Sequence, residues 1–127
     1  MAGDNKIVEF DSVIYPFKLW VSITDDLTYI CETFVDFYTK YGLAKTFSPN
    51  QIAFTQVVER ISDDFLGILI VIQNKDACTA QIMAHEATHA VRDIWEILNE
   101  CSIGKEADAY LVGWVVKCIE SVKNEMV

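Results

Sequence analysis

The chain has 127 residues, of which 52% are apolar and 12% aromatic, and its formal net charge is −9. This apolar content excludes a disordered chain, and the length predicts one domain over residues 1–127. The ten basic residues are scattered, which argues against a nucleic-acid partner, because phosphate contacts need clustered Lys and Arg. No apolar run approaches the roughly eighteen residues of a membrane span, so we expect no membrane partner.

The cysteines contain no C-x-x-C pair, and no secretory apolar region begins the chain. We therefore expect reduced, mostly buried thiols in a cytoplasmic protein rather than disulfides. The four cysteines are Cys31, Cys78, Cys101 and Cys118.

The first half of the chain predicts two strands and a helix. A short strand over residues 6–10 precedes a β-rich segment over residues 17–24. Apolar residues then recur at helical spacing over residues 26–41, which predicts a helix with Asp25 as its N-cap and Gly42 as its C-cap.

The second half predicts a hairpin followed by two helices. Strands over residues 52–61 and 66–73 flank a turn at Ser62-Asp63-Asp64. A helix over residues 77–98, with Asp76 as its N-cap, and a helix over residues 105–124 follow. This order predicts an α+β fold with a small mixed sheet of three or four strands. One helix crosses over between parallel strands, and the hairpin adds an antiparallel edge.

The first of these two helices carries the motif His85-Glu86-Ala87-Thr88-His89, which contains both histidines of the chain. Residues four apart lie on the same face of a helix, so one small cation can join both imidazoles. Glu86 lies next to His85, within reach of a water held by that cation. This H-E-x-x-H pattern is typical of zinc sites with a carboxylate as general base.

A catalytic zinc site needs a third protein ligand, and no third histidine exists. The last helix offers Glu106 and Asp108. Glu106 shares a face with small and apolar residues, which we interpret as the inward face, and Asp108 points about 160° away, towards solvent. We favour Glu106, and Asp108 stays open as the alternative. The residues taken as sharing the inward face with Glu106 are Ala109, Tyr110 and Gly113.

The connection between the two helices sets a geometric condition on this ligand. If the motif helix continues to Leu98, its end lies about 13 Å beyond His89. Residues 99–105 must then return as an extended segment for Glu106 to reach the two imidazoles, and their length allows this. Beyond His89, Asp93 is a candidate to accept the second N–H of that imidazole, with a solvated helix residue as the alternative.

The segment from His85 to Val116 resembles the catalytic end of small zincin metallopeptidases. In these proteins a Glu in an E-x-x-A pattern on the following helix is the third ligand, here Glu106 with Ala109. In this respect the chain is similar to peptidases of the ImmA/IrrE type. It also resembles uncharacterised phage-encoded peptidases in the stretches YPFKLWVSIT, LGILIVIQ, HEATHAV and EADAYLVGW.

The resemblance implies a zincin-like, zinc-dependent metallopeptidase that hydrolyses a peptide or protein substrate, in the host cytoplasm if phage-encoded. His85, His89 and Glu106 would ligate Zn²⁺, although such sites also take other divalent ions. Glu86 would activate the zinc-bound water, and an extended substrate would pair with the strand at residues 66–73. Tyr110 would donate to the developing oxyanion, with packing against the motif helix as the alternative.

A second interpretation is a catalytically inactive zincin-like protein that binds a protein partner or serves phage assembly. Binding alone does not need the general base, and Glu86 is present in this chain. The sequence does not predict the oligomeric state.

Overall fold

The computed structural model describes residues 6–12, 15–98 and 104–126. They form an α+β fold with a five-stranded mixed sheet, and the described helices include three α-helices. The strands are β1 (Ile7–Asp11), β2 (Lys18–Ile23), β3 (Phe34–Asp36), β4 (Ala53–Arg60) and β5 (Leu66–Ile72). The α-helices are α1 (Thr28–Thr33), α2 (Ala80–Ile97) and α3 (Lys105–Glu125), and a 3₁₀ turn at Lys75–Ala77 precedes α2.

The strands lie in the order β1-β2-β5-β4-β3. The pair β2–β5 is parallel and the other neighbouring pairs are antiparallel, so the predicted hairpin is present. The strand parallel to β2 is however β5 and not β4, the strand that follows the predicted crossover helix, because β5 lies between β2 and β4. β5 lies in the middle of the sheet with helices or side chains over both faces. Its unbroken apolar run follows from this position, because a strand buried on both sides has no solvent face to alternate towards.

The prediction of three or four strands is too low, because residues 34–36 form a strand rather than the continuation of a helix. α1 contains only Thr28–Thr33, and β3 then pairs with the end of β4. The β-rich pair Phe34-Val35 is more stable as a strand paired with β4 than as a continuation of α1. The predicted caps are also wrong: Leu27 precedes α1, and Gly42 forms a bridge with Val35.

The two faces of the sheet are covered differently. Helices α2 and α3 cover one face and enclose the larger core, to which β2 and β5 contribute alternate residues. The other face carries a smaller core around Trp20 and Phe34, covered by α1 and by Leu43. The candidate motif lies on α2 and therefore belongs to the larger layer.

Helices α2 and α3 run antiparallel, as contacts at their two ends show. The Trp95 Nε1–H donates to Asp108 Oδ1 at 2.7 Å, and the Lys123 ammonium donates to the Cys78 carbonyl at 3.0 Å. Thr79 caps α2 by accepting from the Ile82 N–H, so the predicted N-cap at Asp76 is wrong. In the part of the chain described here, no helix is both long and apolar enough to cross a membrane.

The described cysteines are free thiols, as predicted. Cys78 and Cys118 are buried and Cys31 is partly buried. The fourth, Cys101, and the expected connection at residues 99–103 lie outside the described residues.

Candidate metal centre

The two histidines of the motif converge on one point in front of α2. Their Nε2 atoms are 3.1 Å apart, and both side chains are exposed. Without an ion, this distance suits a hydrogen bond in which one Nε2–H donates to the other ring. Two nitrogen ligands of a tetrahedral zinc ion lie about 3.3–3.4 Å apart, so an ion fits in place of that proton with little movement.

The space in front of the histidine pair is an open depression of about 380 Å³. Every residue that lines it belongs to the exposed face of α2. The depression is therefore open to solvent. Its lining contains no carboxylate or thiolate that could be a third ligand beside the two imidazoles. The lining residues are Gln81, Ala84, His85, Thr88, His89 and Arg92.

Glu86 points towards the sheet and not into this depression. Its side chain is only 5% exposed, and its Oε1 accepts a 2.7 Å hydrogen bond from the Thr55 hydroxyl on β4. The same hydroxyl lies 3.3 Å from the Glu86 backbone carbonyl. The Glu86 carboxylate is thus held between α2 and β4, although Glu86 directly follows His85 in the sequence.

Glu106 and Asp108, the two candidates for the third ligand, have exchanged places relative to the prediction: the residue predicted to face inward on α3 is exposed, and the residue predicted to face solvent is partly buried. Asp108 is partly buried and accepts from Trp95, whereas Glu106 is exposed, as are Ala109 and Gly113. The interpretation of the Glu106 face as inward is therefore wrong. The buried stripe of α3 consists of the larger apolar residues Leu111, Val115, Cys118, Ile119 and Val122.

The antiparallel packing also separates Glu106 from the histidines along the helix axis. Asp108 lies beside Trp95, which is six residues and hence about 9 Å beyond His89. Glu106 lies two residues further in the same direction, a further 3 Å or so. Among the described residues, no group of three or more His, Cys, Asp and Glu side chains could hold a metal ion.

Asp93 is the carboxylate whose charge interacts with the motif. Burial raises the pKa of Asp93 above its ordinary value, the charge of Glu96 raises it further, and His89 acts in the opposite direction. The hydrogen bonds of the described residues do not include the expected one from His89 to Asp93. Glu96 in turn accepts a hydrogen bond from the Tyr38 hydroxyl at 3.1 Å.

Tyr110, the expected oxyanion donor, is 70% exposed on α3. It is not among the residues that line the depression in front of the histidine pair. The structure therefore does not bring this hydroxyl to the motif.

The strand expected to pair with a substrate is not available for it. β5 pairs with β2 over Gly67–Ile72 and with β4 over Leu66–Ile72, so the prediction for residues 66–73 is wrong. The outer strands of the described sheet are β1 and β3, and β3 pairs with Val58, Glu59 and Arg60 of β4. The Phe37 N–H also donates to the Val57 carbonyl on this side of β4. Within the described residues, the half of β4 that contains Thr55 pairs with no further strand on that side, which leaves its edge open there.

Thr55 is a partner of the motif that was not predicted from the sequence. The signal that could have revealed it is the alternation along β4, where Ala53, Thr55 and Val57 share the face towards the helices. A hydroxyl on that apolar face needs a polar partner, and Glu86 is the partner it has.

No match to this chain was found among protein-family models, curated proteins or solved structures.

Proposed function

We propose that this chain is a zinc-dependent metallopeptidase of zincin-like architecture. The observation that carries the proposal is the convergence of the His85 and His89 Nε2 atoms, 3.1 Å apart on an exposed helix face. Two neutral imidazoles at this distance supply the donor set that zinc prefers and half of a tetrahedral coordination shell. Glu86, between them in sequence, supplies the carboxylate that hydrolysis requires.

In this proposal Glu106 is the third ligand, and the fit of the described arrangement is incomplete without it. Glu106 is in the first turn of α3, directly after Gly104, whose φ of 144° is open to glycine but strained for other residues. For Glu106 to ligate the ion, this turn would have to move towards His89, because the described arrangement places Glu106 about 12 Å beyond that residue along the helix axis. Metal binding and the placement of the first turn of α3 are then coupled.

A zinc ion held by His85, His89 and Glu106 would supply Lewis-acid activation of water and of the scissile carbonyl. Glu86 would be the general base of this reaction, and for this its carboxylate would have to leave the Thr55 hydroxyl and turn towards the histidine pair. The open edge of β4 holds the substrate as an added antiparallel strand through backbone hydrogen bonds. The substrate is therefore an extended peptide or an unfolded segment of a protein.

The first experiment measures zinc by elemental analysis after loading and desalting. We expect about one zinc per native chain, loss of zinc from His85→Ala and His89→Ala, and weaker retention by Glu106→Gln. Glu120→Gln, an exposed glutamate further along α3, is the matched control and should retain zinc. A native protein without zinc at neutral pH contradicts the proposal, and full retention by Glu106→Gln excludes that residue as a ligand.

The zinc-loaded protein is then assayed with fluorescein-labelled casein. We expect Glu86→Gln to retain zinc and to lose at least about a hundredfold in cleavage rate, since it lacks the general base. Equal rates for native protein and Glu86→Gln would contradict the peptidase.

A second candidate is a metal-binding zincin-like protein that binds a partner without cleaving it. The specific observation in its favour is that no third ligand joins the histidine pair among the described residues. Zinc binding without casein cleavage would favour this candidate over the first.

A further inference from the structure

The first half of β4 presents a backbone edge to which a further strand can be added. The Val57 carbonyl accepts from the Phe37 N–H, so the amide groups of Val57 point away from β5. In an antiparallel strand the amide groups of alternate residues point to the same side, so those of Ala53 and Thr55 share this direction. No described strand pairs with Ala53 or Thr55 on that side. Two residues of β4 can therefore exchange backbone hydrogen bonds with an added strand.

The end of β3 sets the direction in which such a strand fits. β3 runs antiparallel to β4, and Phe37 follows its last residue and lies opposite Val57. A strand added antiparallel to β4 would continue the line of β3, with its first residue next to Phe37 and Tyr38. Because Phe37 already occupies the Val57 carbonyl, the pairing of the added strand cannot extend past this point. The end of the added strand that meets β3 is therefore its amino-terminal end.

Carboxylates lie near the place where this amino-terminal end would be. The Tyr38 hydroxyl donates to Glu96 Oε1 on α2 at 3.1 Å. Burial raises the pKa of Tyr38, and the hydrogen bond to Glu96 and the charge of that residue raise it further. The charges of Asp93 and Asp36 act on Tyr38 in the same direction. Three carboxylates are thus close enough to this side chain to influence it.

Asp93 is the carboxylate of this group whose charge is least compensated. Asp36 accepts from Gln56 and Thr39, whereas the hydrogen bonds of the described residues include none to Asp93, which is partly buried. Lys40, in the turn after β3, is already paired with Glu59 at 3.0 Å. A partly buried carboxylate without a donor is costly, so a cation placed beside Asp93 is favoured.

We infer that the first half of β4 docks the amino-terminal segment of an extended partner chain. The segment pairs with Ala53 and Thr55 as an antiparallel strand, and its α-ammonium group lies beside Asp93 and Glu96. A second copy of this protein is a poor partner, because each chain carries a net charge of −9. The docking rests on neither zinc nor cleavage, and if the proposed peptidase is correct, the docked segment is its substrate.

The first test measures peptide binding by fluorescence polarisation in the presence of EDTA. The probe is a hexapeptide of alternating threonine and valine that carries fluorescein on its C-terminal residue. We expect the peptide with a free amino terminus to bind at least about fivefold more tightly than its N-acetylated form, because acetylation removes the charge. Equal affinities, or no binding of either peptide, overturn the inference. An N-acetylated peptide with one lysine that matches the free peptide also overturns it, since the site would then select a basic side chain.

The role of the two carboxylates is tested with isosteric variants. Asp93→Asn and Glu96→Gln keep the shape of each side chain and remove its charge. Each should weaken binding of the free peptide about threefold to tenfold and leave the N-acetylated peptide unchanged. Glu120→Gln, an exposed change on α3, is the matched control and should bind as the native protein does. Native affinity in both Asp93→Asn and Glu96→Gln overturns the inference.

Backbone pairing is tested separately from charge. N-methylation of one alternate set of peptide residues removes the N–H groups that face β4, and methylation of the other set removes those that face solvent. One of the two methylated peptides should therefore lose at least about tenfold in affinity relative to the other, and equal affinities overturn the inference. Ala53→Pro removes an outward N–H at the first residue of β4, where proline suits an open edge, and should weaken binding.

The outcomes of these measurements are separate from those of the proposed function. Docking in EDTA can fail while the native protein holds zinc and cleaves casein, which would overturn this inference alone. A protein without zinc that still prefers the free amino terminus would overturn the peptidase and leave the docking site in place.

Discussion

Single residues on α3 show how a helix face can be assigned wrongly. Ala109 and Gly113 suggested an inward stripe through Glu106, because small and apolar residues often pack against a neighbouring helix. The buried stripe is set instead by the larger side chains at Leu111 and Val115, which remove more apolar surface from water. Asp108 belongs to this stripe because the Trp95 indole N–H supplies its partner.

Asp108→Ala should therefore destabilise the fold more than a change at Glu106. Trp95 is buried, and the substitution leaves its N–H without the carboxylate that accepts from it. We expect a loss of about 1.5–3 kcal/mol in the free energy of unfolding, measured by urea denaturation of the metal-free protein. Glu106→Gln should change it by less than about 0.5 kcal/mol. A larger loss from Glu106→Gln would contradict the described burial.

At the scale of elements, the parts of the chain with one strong pattern were predictable. The long amphipathic helices and the apolar β5 agree with their predicted positions within three residues at each end. Residues 26–41 carried both helical spacing and β-rich composition, and only the presence of β4 as a pairing partner decides that Phe34–Asp36 is a strand. The histidine pair follows from local spacing, whereas the distance to Glu106 depends on how α2 and α3 pack, which local spacing does not determine.

Gly67 shows a packing constraint between neighbouring strands. A Cβ at this position of β5 would overlap the Lys18 carbonyl and the ring of Trp20 on β2. We expect Gly67→Ala to destabilise the protein by about 1–3 kcal/mol, because neither the backbone nor the fully buried ring can move aside cheaply. Thermal or urea unfolding measures this, and Gly113→Ala is the control, since a Cβ there meets nothing within 4 Å. An unchanged midpoint for Gly67→Ala would contradict the β2–β5 packing.

At the scale of the whole molecule, an ion-pair network joins distant parts of the chain around Glu9. The carboxylate of Glu9 on β1 accepts from Lys18 at 2.9 Å, from Trp20 at 2.9 Å and from Arg60 on β4 at 2.6 Å. The Lys18 ammonium, with Trp20 and Arg60, lowers the pKa of Glu9 from 4.5 to about 2, and burial opposes this shift. The outer strand β1 is thereby tied to both β2 and β4.

This network predicts a pH dependence of global stability. Because the folded pKa of Glu9 is lowered, its contribution is complete above about pH 4.5 and is lost as the pH falls towards 2. At pH 7 we expect Glu9→Gln to cost about 1 kcal/mol, a value reduced for solvent screening because the side chain is 35% exposed. Urea unfolding at several pH values should show the difference from the native protein shrinking between pH 4.5 and 2. A difference that stays constant would contradict the lowered pKa.

The exposed pair of imidazoles also has a consequence for handling the molecule. Two ring nitrogens that converge at 3.1 Å on an open helix face form a natural chelating handle for nickel or cobalt as well as zinc. The untagged protein should therefore be retained on an immobilised-metal resin and released by free imidazole. A purification tag of six histidines would bind the same metal ions as the His85–His89 pair. The tag must therefore be removed before the metal content of the protein is measured.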